Sequence, residues 1–151
     1  MVAVLQRVSQ GNVTVGDKML NEIGMGLVVL LGIFDGDEER ETELLAKKTV
    51  NLRIFNDAAG KMNRSLIEVG GEALVISQFT LCADYRKGRR PNFLRAAKPE
   101  KAEKLYMRFV DRIRESGVTV KTGEFGAMME VELINSGPVT ITLDTEVLQK
   151  A

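Results

Sequence analysis

The segment Ser77-Gln78-Phe79-Thr80-Leu81 places two hydroxyls and an amide at the end of an apolar strand, a common site location in α/β proteins. A serine or threonine hydroxyl can serve as a nucleophile in acyl transfer, but it needs an activating base. The chain contains no histidine, which excludes a Ser-His-Asp triad, a Cys-His pair and every His-ligated zinc site. From spacing alone, the simpler interpretation is a strand that turns polar at its end.

A second candidate is the segment 135–140, with the sequence Asn-Ser-Gly-Pro-Val-Thr. Proline donates no ladder hydrogen bond, so Pro138 must interrupt or end a strand. The Gly137–Pro138 step is one of the few places where a cis peptide is affordable, because X–Pro bonds lose most of their trans preference. The simplest interpretation is a hairpin turn between strands at 128–134 and 139–143.

The one dense basic run lies in a loop predicted at residues 84–97. The whole chain has a formal net charge of +0, so an anionic partner must be bound by a local patch. Lysine and arginine here are suited to binding phosphates, and Phe93 to stacking on a base or ribose. A solvated loop is the alternative. The basic residues that we expect to contact an anionic partner are Arg86, Lys87, Arg89 and Arg90.

The remaining chemistry is limited by composition. Cys82 is the only cysteine, which excludes an intrachain disulfide and a Cys₄ metal site, and no histidine can activate it. We therefore expect Cys82 to be a small buried hydrophobe. A carboxylate-bound Mg²⁺ stays open as an alternative, but no acidic cluster singles itself out, and we expect no metal or cofactor. The apolar stretch 27–34 is too short to span a bilayer, and the first residues lack a signal-peptide layout. These features predict a cytoplasmic protein without membrane contact.

One α/β domain over residues 1–151 must position these segments. The unbroken apolar run at 27–33 is typical of a strand buried on both faces, whereas Pro99 and Gly117 are suited to the ends of a long helix. The patterns predict helices at 38–51 and 99–115, and strands at 2–8, 12–15, 27–33, 53–55, 73–77, 118–120, 128–134 and 139–143.

Together the three segments resemble the D-aminoacyl-tRNA deacylase family. Residues 77–81 match its SQFTL motif, 135–140 its N-x-GPVT motif, and 86–93 its R-x-G-x-x-P-x-F pattern. The resemblance covers essentially the whole chain. It implies mixed and antiparallel strands in a barrel-like β layer packed with two main helices. It also implies a homodimer with active sites at the interface and tRNA as its partner.

The resemblance also implies roles for individual residues. In the family the Gly-Pro peptide is cis and reaches into the partner subunit's pocket. Gly137 and Pro138 are thus expected to exclude an L side chain by clash, while D-residues and glycine fit. Arg7 is expected to orient this loop. The expected pocket residues are Ser77, Gln78, Phe79 and Thr80, with Phe93 and Met129 as walls near the terminal adenosine. The expected reaction is hydrolysis of D-aminoacyl-tRNA, and of mischarged glycyl-tRNA, as proofreading in translation.

Two mechanisms stay open. Either the Thr80 hydroxyl attacks the ester, or main-chain amides near Gln78 and Phe79 stabilise the oxyanion while the ribose 2′-hydroxyl helps to activate water. We favour the second because Thr80 has no evident base. The rival functions are an RNA-binding module without catalysis and a general esterase or peptidase. The absence of histidine and of a G-x-S-x-G elbow disfavours the last.

Overall fold

A six-stranded mixed sheet and four helices make up the fold in the computed structural model, which describes residues 1–151. The strands are β1 (Val2–Val15), β2 (Lys18–Ile23), β3 (Gly26–Gly32), β4 (Phe55–Asn56), β5 (Met62–Arg64), β6 (Glu72–Ser77), β7 (Thr119–Thr122) and β8 (Glu130–Asp144). The helices are α1 (Glu39–Asn51), α2 (Leu66–Val69), α3 (Pro99–Glu115) and α4 (Thr145–Gln149). None of them has the length and apolarity that a membrane span requires.

The main sheet has the strand order β2-β1-β3-β6-β7, and β8 pairs with the other edge of β1. Strands β3, β6 and β7 run parallel, whereas β1 is antiparallel to each of its neighbours. The outer strands β2 and β7 approach each other: Asn21 Nδ2 donates to the Thr122 carbonyl at 2.6 Å, and Lys121 Nζ to the Glu22 carbonyl at 2.8 Å. The sheet is therefore nearly closed, which confirms the expected barrel-like β layer.

Strand β3 is buried on both faces, as its apolar run predicts. Leu27, Val29 and Leu31 belong to the larger core cluster, which also contains side chains of α1 and α3. Val28 points the other way, into a smaller cluster within the curved sheet. Since successive side chains of a strand alternate between faces, a strand covered on both sides needs apolar residues throughout.

Both long helices lie where the sequence predicts them. Pro99 occupies the first turn of α3, where its missing N–H has no partner to lose, and Gly117 follows its end with φ 90°. On α1, Leu45 is fully buried, whereas Leu44 is half-buried and Lys48 is exposed. Helices α2 and α4 and strand β2 were not predicted, because each is short or weakly patterned.

The break predicted between the strands at 2–8 and 12–15 is absent. Strand β1 continues through it, with irregular pairing to β8 on either side of Val8. Gly11 lies so close to β3 that a Cβ added to it would be 2.9 Å from Val28 Cγ2. The glycine therefore marks a close approach between strands and not a reversal of the chain.

The hairpin predicted around 135–140 is also wrong. Ile134 pairs with Gln10 and Thr140 pairs with Gln6, so both halves of β8 lie along the same edge of β1 in the same direction. Between the Val8–Asn135 and Gln6–Thr140 pairs the chain advances by two residues in β1 but by five in β8. The three extra residues form a loop that bulges from a strand without reversing it.

Strand predictions near 53–55 need a smaller correction. The strand comprises only Phe55 and Asn56, and it pairs with Met62–Arg64 in a separate two-stranded hairpin. This hairpin, β4–β5, lies outside the main sheet.

Candidate active site

The residues after β6 turn at once into a short 3₁₀ helix, Phe79–Cys82. The Gln78 N–H donates to the Leu31 carbonyl at 2.8 Å, which extends the pairing with β3 beyond the end of β6. The main-chain N–H groups of Phe79 and Thr80 have no acceptor in the protein, as is usual for the first residues of a helical turn. Both residues are exposed. Two adjacent main-chain donors are therefore available to an anionic atom of a ligand.

The hydroxyl of Thr80 has one hydrogen-bond partner, the side-chain amide of Gln78, which donates to it. An amide that donates to the hydroxyl oxygen cannot accept its proton. Ser77 lies half-buried at the end of β6 and makes no side-chain hydrogen bond. The structure thus supplies hydrogen-bond donors around Thr80 but no general base.

An aromatic pair connects this turn to the basic loop. The rings of Phe79 and Phe93 meet edge to face, with centroids 5.1 Å apart. Two main-chain hydrogen bonds between Asp84 and Asn92, of 2.8 and 3.0 Å, close the base of the basic loop. Phe93 is the next residue along the chain. Phe79 is 58% exposed. The pair leaves an open aromatic surface beside the two free N–H groups.

Within the basic loop, Arg86 differs from its neighbours. Its guanidinium binds both carboxylate oxygens of Asp84, at 2.9 and 2.7 Å, and this holds the pKa of the Asp84 carboxyl well below its usual range. Lys87, Arg89 and Arg90 are exposed and form no ion pair. Three of the four predicted basic residues thus carry charge that no acidic side chain of the protein neutralises.

Cys82 is buried at the end of the 3₁₀ helix. Burial, together with the charge of Asp37, raises the pKa of its thiol to about 11. A thiol that stays protonated at neutral pH is a poor nucleophile, in agreement with the structural role expected for this residue.

The side chain of Asn135 closes the base of the Gly-Pro loop. Its Oδ1 accepts from the Val139 N–H at 2.7 Å, and its Nδ2 donates to the Val139 carbonyl at 3.2 Å and to Thr140 Oγ1 at 3.0 Å. The Gly137–Pro138 peptide is cis, as the resemblance implies, and both residues are exposed. Asn135 belongs to the N-x-GPVT motif, but the sequence assigned it no role, although asparagine is well suited to such local side-chain bonds.

Position 137 admits only glycine. Its φ is 140°, which L-residues rarely adopt. An added Cβ would lie 2.8 Å from Val139 Cγ2, 2.9 Å from the Val139 nitrogen and 3.1 Å from Arg7 Nη2. The main chain is therefore bare at this exposed position of the loop.

Arg7 connects the Gly-Pro loop to the β4–β5 hairpin. Its Nε donates to the Ser136 carbonyl at 2.8 Å. Its Nη1 donates to the Ile54 carbonyl at 2.8 Å and to Asn56 Oδ1 at 3.2 Å. This geometry suits the orienting role expected of Arg7. Asn56 was not anticipated.

The 3₁₀ helix and the Gly-Pro loop do not meet within one chain. Arg7, which holds the loop, pairs with Leu27 near the start of β3, whereas Gln78 bonds to Leu31 near its end. Four residues of strand separate these points by about 13 Å. One chain therefore presents the two groups of predicted site residues at opposite ends of β3.

Met129 lies partly buried against the smaller core cluster, and its sulfur is 2.5 Å from where a Cβ on Gly123 would be. Its expected place beside the adenosine stays a prediction. No group of three or more acidic or cysteine side chains is arranged to hold a metal ion.

The comparisons with known proteins agree with these motifs. Residues 4–144 match the family model described as D-Tyr-tRNA(Tyr) deacylase. A D-aminoacyl-tRNA deacylase of Roseiflexus sp. (strain RS-1) is 59% identical over 99% of this chain and 97% of its own length. The one from Symbiobacterium thermophilum is 56% identical over 95% of each chain.

Two solved structures have a similar fold. One, of the "c-Myc DNA Unwinding Element Binding Protein", has a TM-score of 0.90 and 42% identity and covers 95% of this chain and 98% of its own. The other, described as a probable eukaryotic D-amino acid tRNA deacylase, has a TM-score of 0.84 over 94% of this chain and 97% of its own. At 20% identity the second supports the fold alone.

Proposed function

This chain belongs to the D-aminoacyl-tRNA deacylase family, hydrolases that act on the ester bond of aminoacyl-tRNA, and we propose that it removes D-amino acids from tRNA as chirality proofreading. The observation that carries this proposal is the pair of unpartnered N–H groups on Phe79 and Thr80, in a chain without histidine. An aminoacyl ester is activated, so stabilising the oxyanion contributes much of the catalysis it needs.

In the proposed reaction, water attacks the ester carbonyl and the two N–H groups bind the oxyanion that forms. The bond between the carbonyl carbon and the ribose oxygen then breaks, and that oxygen leaves as a hydroxyl of the terminal adenosine. The neighbouring 2′-hydroxyl helps to activate the water. Thr80 contributes its hydrogen bond with Gln78 and forms no acyl intermediate.

We assign discrimination against L-residues to the main chain of Gly137 and Pro138. The loop presents backbone with no Cβ at Gly137, and the side chains of Arg7 and Asn135 hold it. A wall made of main chain excludes an L side chain by steric clash and makes no specific contact with a D side chain. Such a site accepts many D-residues and also glycyl-tRNA.

A second copy of the chain completes the proposed site. Within one chain the loop and the 3₁₀ helix lie at opposite ends of β3. The outer edge of β8 carries no strand partner, and Ile134 on it is exposed. In the proposed homodimer, the loop of one subunit reaches the 3₁₀ helix of the other.

The acceptor end of tRNA is the proposed partner of the basic loop. Lys87, Arg89 and Arg90 provide unneutralised charge for phosphates, and Phe79 with Phe93 offers a surface on which the terminal adenine can stack. Affinity based on phosphates should fall steeply with salt and depend little on sequence. We place this activity in the cytoplasm.

The same basic loop favours a second candidate, nucleic-acid binding without catalysis. One structural neighbour is named for binding a DNA unwinding element, and that name describes the neighbour alone. Such a module would bind charged and uncharged tRNA alike and release no amino acid.

Incubation with D-Tyr-tRNA, L-Tyr-tRNA and Gly-tRNA separates these functions. We expect rapid release of D-tyrosine and glycine and retention of L-tyrosine. Release of both tyrosine enantiomers would remove the chirality argument, and release of neither would favour the binding module.

For the mechanism, we expect a D-Tyr-tRNA that ends in 2′-deoxyadenosine to be hydrolysed far more slowly.

A further inference from the structure

Asn56 completes the set of acceptors that fixes the plane of the Arg7 guanidinium. We propose that Asn56 is a positioning residue for the discrimination between D- and L-substrates and acts through Arg7; this rests on the function proposed above for the Gly-Pro loop. Nη1 carries two hydrogens, and it has two acceptors, the Ile54 carbonyl and Asn56 Oδ1. Nε carries one, which goes to the Ser136 carbonyl.

The hairpin holds Asn56 firmly in this position. Asn56 pairs with Met62 across the two strands. The turn between them is stabilised by Asp57, whose Oδ1 accepts from the N–H groups of Ala59 at 2.9 Å and Lys61 at 3.0 Å. The same bonds lower the pKa of the Asp57 carboxyl, chiefly through the Lys61 amide. A rigid hairpin outside the main sheet thus serves as the fixed end of a bridge to the Gly-Pro loop.

The surroundings of Arg7 give its side chain room to move. A cleft of about 260 Å³, lined in part by Met25, Phe55, Asn56 and Ser136, adjoins the guanidinium. Without the Asn56 acceptor, one Nη1 hydrogen is free and the guanidinium can rotate into this cleft. Because the Ser136 carbonyl is bonded to the same guanidinium, the loop next to Gly137 then loses its fixed position.

Loosening this loop affects the two substrates differently. The L-residue is rejected by clash alone, so a mobile wall admits it more often. The D-residue needs only the open space that the wall leaves, so its hydrolysis changes less. The ratio of D- to L-hydrolysis is therefore the quantity that Asn56 controls.

The test compares single-turnover hydrolysis of D-Tyr-tRNA and L-Tyr-tRNA by three variants of the full chain. For Asn56→Ala we expect the D/L ratio to fall about three- to tenfold, within the range for loss of one ordinary hydrogen bond. Asn56→Asp keeps an acceptor oxygen and should keep the ratio. The matched control is Asn63→Ala, which removes a side chain of the same hairpin that bonds to Asp57 and not to Arg7.

Arg7→Ala distinguishes failure of this proposal from failure of the proposed function. If the ratio falls in Arg7→Ala but not in Asn56→Ala, Asn56 has no positioning role. If it falls in neither, the Gly-Pro loop itself does not select chirality. An equal fall of the D/L ratio in Asn63→Ala would assign the effect to the fold of the hairpin and overturn the role of the Asn56 side chain. Thermal unfolding midpoints of all variants would show whether the fold of the hairpin is affected.

Discussion

The 3₁₀ helix after β6 and the Gly-Pro loop in β8 both present main chain to the proposed substrate, but they are held in opposite ways. The 3₁₀ helix is positioned by its main chain: the Gln78 N–H just before it donates to the Leu31 carbonyl, and its last residue, Cys82, is buried. The Gly-Pro loop is held by the side chains of Arg7 and Asn135. We therefore expect side-chain substitutions to change activity little at the 3₁₀ helix and to reduce it at the Gly-Pro loop.

The largest effect that this comparison predicts is at Gly137. Gly137→Ala imposes a left-handed φ on an L-residue and a contact of 2.8 Å with Val139. A penalty of about 2–3 kcal/mol should reduce D-Tyr-tRNA hydrolysis by about 30- to 160-fold. Gly36→Ala is the matched control, since its added Cβ meets nothing within 4 Å. A fully active Gly137→Ala protein would show that the loop is not part of the site.

Replacing Arg7 by lysine should have the next largest effect. A lysine ammonium cannot reproduce the planar arrangement that joins Ser136, Ile54 and Asn56. We expect the ratio of D- to L-Tyr-tRNA hydrolysis to fall by about tenfold, with loss of about 1.4 kcal/mol of discrimination. An unchanged ratio measured in single turnover would contradict the idea that side chains hold the loop.

Removing the Thr80 hydroxyl should have a much smaller effect. Thr80→Ala leaves the main-chain N–H groups in place and removes only the bond from Gln78. We expect hydrolysis of D-Tyr-tRNA to fall by less than about fivefold, the worth of one ordinary hydrogen bond. An acyl adduct on Thr80, detected by mass spectrometry of the quenched protein, would instead make the hydroxyl the nucleophile.

Cys82→Ala should leave the pH dependence of hydrolysis unchanged near neutrality, because burial raises the pKa of the thiol to about 11. The substitution should instead change how the free energy of unfolding depends on pH. The unfolded thiol loses its proton near its ordinary pKa of 9.0 while the folded thiol keeps it, so the wild-type chain loses stability as pH rises from about 9 to 11. Denaturant unfolding should show a shallower alkaline decline in Cys82→Ala. Identical slopes would contradict a raised thiol pKa in the folded chain.

The sequence predicted the elements whose signals are local. Helix α3 is delimited by Pro99 and Gly117, and β3 by an unbroken apolar run, and both lie where expected. The segment 135–140 gave a turn signal, but such a signal does not say whether the chain reverses. That depends on β1, more than a hundred residues away in sequence. For the same reason the contact between Asn56 and Arg7 had no signal in the sequence, although the family resemblance identified Arg7 itself.

The placement of the Gly-Pro loop inside a strand makes it a replaceable module. Each half of β8 keeps its own register with β1, and the loop adds three residues between the Val8 and Gln6 pairs. We therefore expect longer, shorter or chemically different inserts at this position to leave the strand pairing of the sheet unchanged. The fold thus separates the loop to which we assign the recognition of handedness from the strands that carry the architecture, so the proposed selectivity can be redesigned on an unchanged scaffold.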